Sequence, residues 1–413
     1  MCVSYVLTKG KPLLAFLLVC IVRVSYVCCA YALLQRWDVN CNYNTEKTDM
    51  TVSAGISAGD EMCNMYFMIK SSVPRGGICW RSQVQGDLPE LGMYLYRWVF
   101  NLSTATARKV EEIKPDGMGQ VAGVHLGYMG DPTKLLIFHR ADREMGEFDF
   151  ETTINTDVFI VWDTVTMRVE KTFGKDMYRM PHGLTIDMNS NTIWTTDVDS
   201  QVAIKLDAAT GEELLRLGTW GTRGSGNNEM CRPTEVAVSS SGRLFVSDGY
   251  CNRRVLAFDA DGSFARNYEI SDAIVPHGVV VDDCAGVYFV ADRESARVLM
   301  MDMDSGSVSI AIDLAQYGLP YAITTDELGT VFALTWDRDQ SGNVSLIQLT
   351  EQVDADNLGT PVPLPGVKNV MTLPGIKVPH DVAGSYSFRE SCFYVYVSET
   401  GPGPEGKITV FKS

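Results

Sequence analysis

Along most of this chain, short apolar runs keep restarting. From about Gln120 onward, runs rich in Val, Ile, Leu, Phe and Tyr close on Asp, Asn, Ser or Gly and then begin again. One series reads His182-Gly-Leu-Thr-Ile-Asp187, Ile193-Trp-Thr-Thr-Asp197 and Val202-Ala-Ile-Lys-Leu-Asp207. The next reads Pro233-Thr-Glu-Val-Ala-Val238, Leu244-Phe-Val-Ser-Asp248 and Arg254-Val-Leu-Ala-Phe-Asp259. A third runs through Pro276-His-Gly-Val-Val-Val-Asp282, Val287-Tyr-Phe-Val-Ala-Asp292 and Arg297-Val-Leu-Met-Met-Asp302. β-Branched and aromatic runs of this length, parted by turn residues, predict strands joined by hairpins. No helical period appears between them.

Weaker copies begin at Pro320-Tyr321 and Pro379-His380, and a degenerate early copy begins at Val121-Ala-Gly-Val124. The result is six units of roughly forty to sixty residues, each with about four strands, the pattern of propeller blades. The expected fold is all-β, a six-bladed β-propeller. A solenoid fits less well, because hairpin turns connect the strands.

Three of the five histidines follow a proline at the start of a unit: Pro181-His182, Pro276-His277 and Pro379-His380. Ala122, Thr234 and Tyr321 hold that point in the other units. A lone buried histidine is more often a hydrogen-bonded core residue than a ligand, but a core consensus would recur in every unit. First strands of a propeller line its central channel, so three imidazoles would meet there, as a three-histidine metal site requires. His125 falls outside this register and is expected to be structural. His139 ends a strand and fits either role.

The ends of the second strands carry His139-Arg140, Asp197, Asp248-Gly-Tyr250, Asp292-Arg293, Asp337 and Glu399. These ends are expected at one rim, which would set Arg140, Tyr250 and Arg293 around the same cavity as the histidines. Singly each reads as a surface residue. Together a phenol and two guanidiniums suit an anionic substrate and proton transfer. Asp381 follows His380 where Gly183 and Gly278 follow the other two histidines. With the backbone carbonyls of Val124 and Leu184 it would form an oxygen-rich calcium site, although a turn aspartate is the simpler reading of the residues alone.

The formal charge of −16, spread through the 413 residues, argues against nucleic acid or anionic membrane as partner. Lys9 and Lys11 precede an apolar run from Leu13 to Val22, and Ala30-Tyr31-Ala32 offers a cleavage site. Residues 1–32 therefore read as a secretory signal or an uncertain start, and the mature chain is expected to be a monomer without a membrane span. Of the eleven cysteines, Cys2, Cys20, Cys28 and Cys29 lie in this leader, and the odd remainder cannot all pair within one chain. Cys231 and Cys251 bracket one unit, and Cys41 and Cys63 lie before the units. Such spacing suits an oxidising secretory lumen or the extracellular space, with the partners of Cys79, Cys284 and Cys392 open. Asn101-Leu-Ser103 and Asn343-Val-Ser345 are glycosylation sequons.

At these residues the chain resembles the peptidyl-alpha-hydroxyglycine alpha-amidating lyase, the lyase domain of peptidylglycine alpha-amidating monooxygenase. The matching strings are Gly119-Gln-Val-Ala-Gly-Val124, Ile137-Phe-His-Arg140, Pro181-His-Gly-Leu184, Cys231-Arg-Pro-Thr-Glu-Val236, Phe245-Val-Ser-Asp-Gly-Tyr-Cys-Asn252, Val275-Pro-His277, Val290-Ala-Asp-Arg-Glu294 and Val378-Pro-His-Asp381. They cover about 120 to 413 in order. The resemblance implies a six-bladed propeller of NHL-like repeats with zinc on His182, His277 and His380. It also implies structural calcium on Asp381 and the carbonyls of Val124 and Leu184, a catalytic group of Arg140, Tyr250 and Arg293, and a Cys231–Cys251 disulfide. A second disulfide of the family has no cysteines here, its expected positions falling near Phe289 and Met300. The implied reaction cleaves a peptidyl-alpha-hydroxyglycine to a C-terminal peptide amide and glyoxylate, in the maturation of amidated peptides such as neuropeptides.

The stretch from Cys41 through Asp60-Glu-Met62-Cys63-Asn-Met-Tyr66 is similar to the end of the copper monooxygenase domain of bifunctional relatives. Met62 matches that domain's methionine copper ligand, and Cys41 and Cys63 are candidates for a disulfide. Its histidine ligands are missing, so no monooxygenase activity is expected of this chain. The domain reading is 33–80 for this remnant, 81–117 for a linker and 118–413 for the propeller. Two rival functions remain: a noncatalytic NHL-type propeller that binds protein, and a different metal-dependent propeller hydrolase. The rim residues count against the first. The second would use carboxylate and asparagine ligands rather than three imidazoles.

Overall fold

A computed structural model describes residues 39–45, 48–59, 62–71, 106–283, 285–326, 329–350, 366–387, 392–401 and 405–413. Residues 1–32, Cys79, Asn101 and Cys284 lie outside them, as do the side chains of Cys41, Met62 and Cys63. The chain divides into two compact units, 1–77 and 78–413. In the first, strands Val39–Thr45, Thr48–Gly59 and Met62–Ser71 form an antiparallel sheet in sequence order.

The second unit carries six four-stranded antiparallel sheets. Blade I is built from Val121–Leu126, Lys134–His139, Phe159–Asp163 and Arg168–Phe173. Blade II follows with Pro181–Asp187, Thr192–Asp197, Val202–Asp207 and Glu213–Leu217. Blades III and IV begin with Glu235–Val238 and Pro276–Asp282, and blade V with Leu319–Thr325. Blade VI takes Pro379–Ser387, Cys392–Glu399 and Lys407–Lys412 from the C-terminus. Its outermost strand, Arg108–Ile113, comes from the other end of the unit. That corrects the expected linker: part of 81–117 is a propeller strand, and the domain begins before 118. Its exposed, charged sequence (Arg-Lys-Val-Glu-Glu-Ile) carries no apolar alternation, because an outer strand has little to bury.

Each first strand packs on the first strands of both neighbouring blades, blade VI meeting blade I, so the ring is closed. Six apolar clusters fill the six seams between blades. Each inner strand is therefore covered on both faces, which is why Leu244–Asp248 and Val287–Asp292 are buried at every position rather than at alternate ones. Pairing the N-terminal strand with the C-terminal ones leaves the ring without a free joint. Among the described residues, no helix is long and apolar enough to cross a membrane.

Candidate metal centre and active site

The three proline-flanked histidines sit on the first strands of blades II, IV and VI, and each lies at a break in strand register. Pro276 pairs with Asp292 and Gly278 with Ala291, so His277 is the extra residue of a β-bulge. The same shift falls between Pro181 and Leu184, and between Pro379 and Val382. A bulge frees one residue from the ladder and re-aims its side chain, here into the channel.

The ring nitrogens then divide their work. His182 Nδ1 is 2.9 Å from the Thr234 carbonyl oxygen, and His380 Nδ1 is 2.7 Å from that of Ala122. His277 makes its backbone bond to Tyr321. Each histidine thus donates Nδ1–H to the corresponding residue of the next blade, which leaves the Nε2 lone pairs facing inward. Ligand nitrogens of the three rings lie within 4.8 Å of one another. Burial, reinforced by Arg140 beside His182 and His380 and by Arg293 beside His277, holds all three well below the usual histidine range. They are neutral, the form that ligates. This donor set fits a divalent cation bound by three imidazoles.

Tyr250, Arg140 and Arg293 surround the same point. The Tyr250 hydroxyl is 3.0 Å from His182 Nε2 and 3.2 Å from His277 Nε2. Arg293 Nη1 donates to that hydroxyl at 3.3 Å, and its guanidinium lies over the Tyr250 ring. Arg140 is fully buried, with Nη2 3.2 Å from His380 Nε2. Its other partners are the Pro181 carbonyl and Gln120 Oε1, both at 3.0 Å and both neutral. Burial brings its pKa down to about 10, which leaves it charged at neutral pH. A buried cation held only by neutral groups is able to pair with an anion.

Tyr250 reaches this position because Gly249 lets two strands close. A Cβ there would stand 1.6 Å from the Pro276 carbonyl oxygen, so the residue before Tyr250 rests on the strand that carries His277. Cys231 and Cys251 form a disulfide that ties the same turn to the loop entering blade III.

Asp381 Oδ2 accepts the Val124 N–H at 2.8 Å, and Glu235 lines the same channel. Burial raises both carboxyl groups, and the charge of Asp381 raises Glu235 further. Two carboxylates sharing a buried space fit a hard cation with oxygen ligands. Glu235 was missed by the sequence reading, where it is one polar residue inside an ordinary strand.

The other strand-end acids are structural. Asp197 accepts the N–H groups of Arg179, Met180, Asp199 and Ser200. Asp248 holds Cys231 N–H, Asn252 and Arg254, and Asp292 holds Ile274, Val275 and Arg297. Glu399 accepts Lys377 N–H, and Asp337 binds Ser341 in a turn. Their shared position reflects a repeated strand-to-loop fastening. His139 is buried, with Nδ1 accepting the N–H groups of Gly119 and Ala141, and His125 bonds the Leu126 carbonyl. Phe289 and Met300 stand directly opposite each other on paired strands. Cys392 is buried and unpaired, and Asn343 is exposed.

Fold and site together define a six-bladed propeller with a three-histidine centre, able to hold a metal ion, on its axis. No protein-family model matches the chain. It is homologous to proteins named as amidating lyases. A probable peptidyl-alpha-hydroxyglycine alpha-amidating lyase of Caenorhabditis elegans is 34% identical over 52% of this chain and 64% of its own length. Peptidyl-alpha-hydroxyglycine alpha-amidating lyase 2 of Drosophila melanogaster is 34% identical over 44% of this chain and 47% of its own. Peptidyl-glycine alpha-amidating monooxygenase A of Xenopus laevis is 33% identical over 52% of this chain and 25% of its own. The chain thus spans less than two thirds of each of these relatives.

Proposed function

We propose that this chain is a zinc-dependent lyase that converts a peptidyl-alpha-hydroxyglycine into a peptide amide and glyoxylate. The observation that carries the reading is the Tyr250 hydroxyl held between two histidine Nε2 atoms, beside one guanidinium of Arg293 and near the carboxylate-free Arg140. The names of the homologues support the same substrate.

His182, His277 and His380 would hold a zinc ion, which would supply a Lewis acid lowering the pKa of the substrate hydroxyl. The chain's own groups do the rest. Arg140 pairs with the hydroxyglycine carboxylate and fixes the carbon that reacts. The Tyr250 oxygen takes the hydroxyl proton, with Arg293 donating to that oxygen. As the C–O bond becomes a carbonyl, the C–N bond breaks and its electron pair goes to the amide nitrogen. That nitrogen takes the proton back from Tyr250, so no net proton or electron is consumed. Asp381, the carbonyls of Val124 and Leu184, and Glu235 would hold a structural calcium.

A secretory lumen suits this reading. The Cys231–Cys251 disulfide needs an oxidising compartment, and Asn343 stands exposed for a glycan. The test is glyoxylate release from a synthetic peptidyl-alpha-hydroxyglycine, run with metal analysis of the purified chain. One zinc per chain and stoichiometric amide are expected. A zinc-loaded chain that leaves the substrate intact rules the reaction out.

A further inference from the structure

Arg293 is not held by the Tyr250 hydroxyl alone. Its Nε donates to Glu294 Oε1 at 2.9 Å. Arg338, from the turn after the second strand of blade V, donates to Glu294 Oε2 at 2.9 Å. Arg338 Nη1 also reaches the Tyr321 hydroxyl at 2.9 Å. Tyr321 occupies, in blade V, the position that His277 and His380 occupy in blades IV and VI, and its ring lies under the Arg293 guanidinium, 5.1 Å from the centroid. The four side chains form a closed circuit across two blades, in which Tyr321 is buried, Arg293 and Glu294 are partly buried and Arg338 is exposed.

The circuit resolves a conflict. A carboxylate fixes the direction of a guanidinium well, but placed against Arg293 it would also repel an anionic substrate. Arg338 offsets that charge, its further contact with the exposed Asp339 at 3.5 Å being screened by solvent, so the trio of Arg293, Glu294 and Arg338 keeps one net positive charge while Arg293 stays oriented.

We infer that Glu294 is a positioning residue for Arg293, and that Arg338 neutralises Glu294 so that the site still attracts a carboxylate. The inference rests on the lyase reading for its kinetic part only. Glu294 and Arg338 touch neither the histidines nor the Tyr250 hydroxyl, so they act through Arg293 and Tyr321.

The experiment uses the full zinc-loaded chain with Glu294→Gln, Glu294→Asp, Arg338→Met and Arg293→Lys. The Nε–Hε resonance of Arg293 is assigned by its loss in Arg293→Lys. In the unmodified chain that proton is expected to exchange slowly, and in Glu294→Gln at least about tenfold faster, as for a guanidinium released from its acceptor. Glu294→Gln should lower kcat about tenfold without raising KM, and Glu294→Asp should recover much of it. Arg338→Met, which leaves the carboxylate unopposed, should instead raise KM about tenfold. In an Arg293→Lys background Glu294→Gln should add little, because the effect travels through Arg293. An unchanged Hε exchange rate in Glu294→Gln overturns the positioning role, and so does an undiminished kcat. If the unmodified chain releases no glyoxylate, the lyase reading falls, while the Hε measurement still decides the role of Glu294.

Discussion

Replacing Tyr250 by Phe removes one oxygen and leaves the ring. That oxygen has three neighbours: His182 Nε2 at 3.0 Å, His277 Nε2 at 3.2 Å and Arg293 Nη1 at 3.3 Å. The ring keeps its edge contacts with both imidazoles, whose centroids are 5.4 and 5.6 Å away, and its place under Arg293. Folding should therefore lose no more than about 1 kcal/mol, the net worth of an ordinary hydrogen bond. Zinc content should be unchanged, because the histidines are oriented from their Nδ1 side by backbone carbonyls that Tyr250 does not touch. Turnover is different. If this oxygen carries the proton from the substrate hydroxyl to the leaving nitrogen, its loss should cost roughly 10² to 10⁴ in kcat. That is about 3–5 kcal/mol on the barrier. KM should move little, since Arg140 still binds the carboxylate. The assay is glyoxylate release at saturating substrate, with zinc per chain and melting temperature measured on the same preparation. A Tyr250→Phe protein with full zinc and kcat within threefold of the unmodified chain would remove Tyr250 from the chemistry.

Alanine at His182, His277 or His380 should strip most of the zinc, because two imidazoles hold it far more weakly than three; atomic absorption on dialysed protein checks this, and full occupancy in all three variants refutes the centre. Asp381→Asn should abolish the rise in melting temperature that added calcium gives the chelator-treated chain, about 2.7 kcal/mol of stabilisation at a hundredfold excess over Kd; an undiminished response places the cation elsewhere. His139 provides a pH test. Burial depresses its pKa to about 4, so its contribution to stability is complete above the unfolded value of 6.5 and is lost as pH falls towards 4. Between pH 7 and pH 5 that loss should be about 2 kcal/mol, and urea titrations should show it in the unmodified chain and not in His139→Gln. Equal pH dependence in the two proteins contradicts the assignment.

What the sequence shows and what it hides follow from the same geometry. Strand runs and turns are local, so all six blades are visible as repeats, and the alternation of His182, His277 and His380 with Thr234, Tyr321 and Ala122 is visible once the repeats are aligned. Arg108–Ile113 is hidden because it is an outer strand, exposed at all but its last residue, pairing with a segment at the far end of the unit. Glu235 is hidden because its partner Asp381 is three blades further along the sequence yet shares the channel. The strand-end acids mislead in the opposite way: their repetition looks like a ring of functional groups, but each carboxylate spends its oxygens on backbone N–H groups of its own blade. Arg140 and Arg293 share that strand-end position and are set apart by having side chains long enough to reach the axis.

The alternation itself has a physical cause. A histidine on each of six first strands would crowd the channel. With a histidine on every second blade, the blade between supplies a backbone carbonyl to the Nδ1–H of its predecessor. The bulge at that point of blades I and V serves to aim the carbonyl rather than the side chain. Because only the backbone is used, the intervening side chains are free to differ, and they do: Ala122 leaves room, Thr234 bonds Ser247 and the Pro276 carbonyl, and Tyr321 joins Arg338. It follows that Thr234→Ala should keep its zinc, since the carbonyl that orients His182 survives the change. A proline placed after Thr234 would be expected to release zinc by shifting that carbonyl. Zinc lost from Thr234→Ala but kept after the proline substitution would show that side chains, and not backbone, hold the histidines in place.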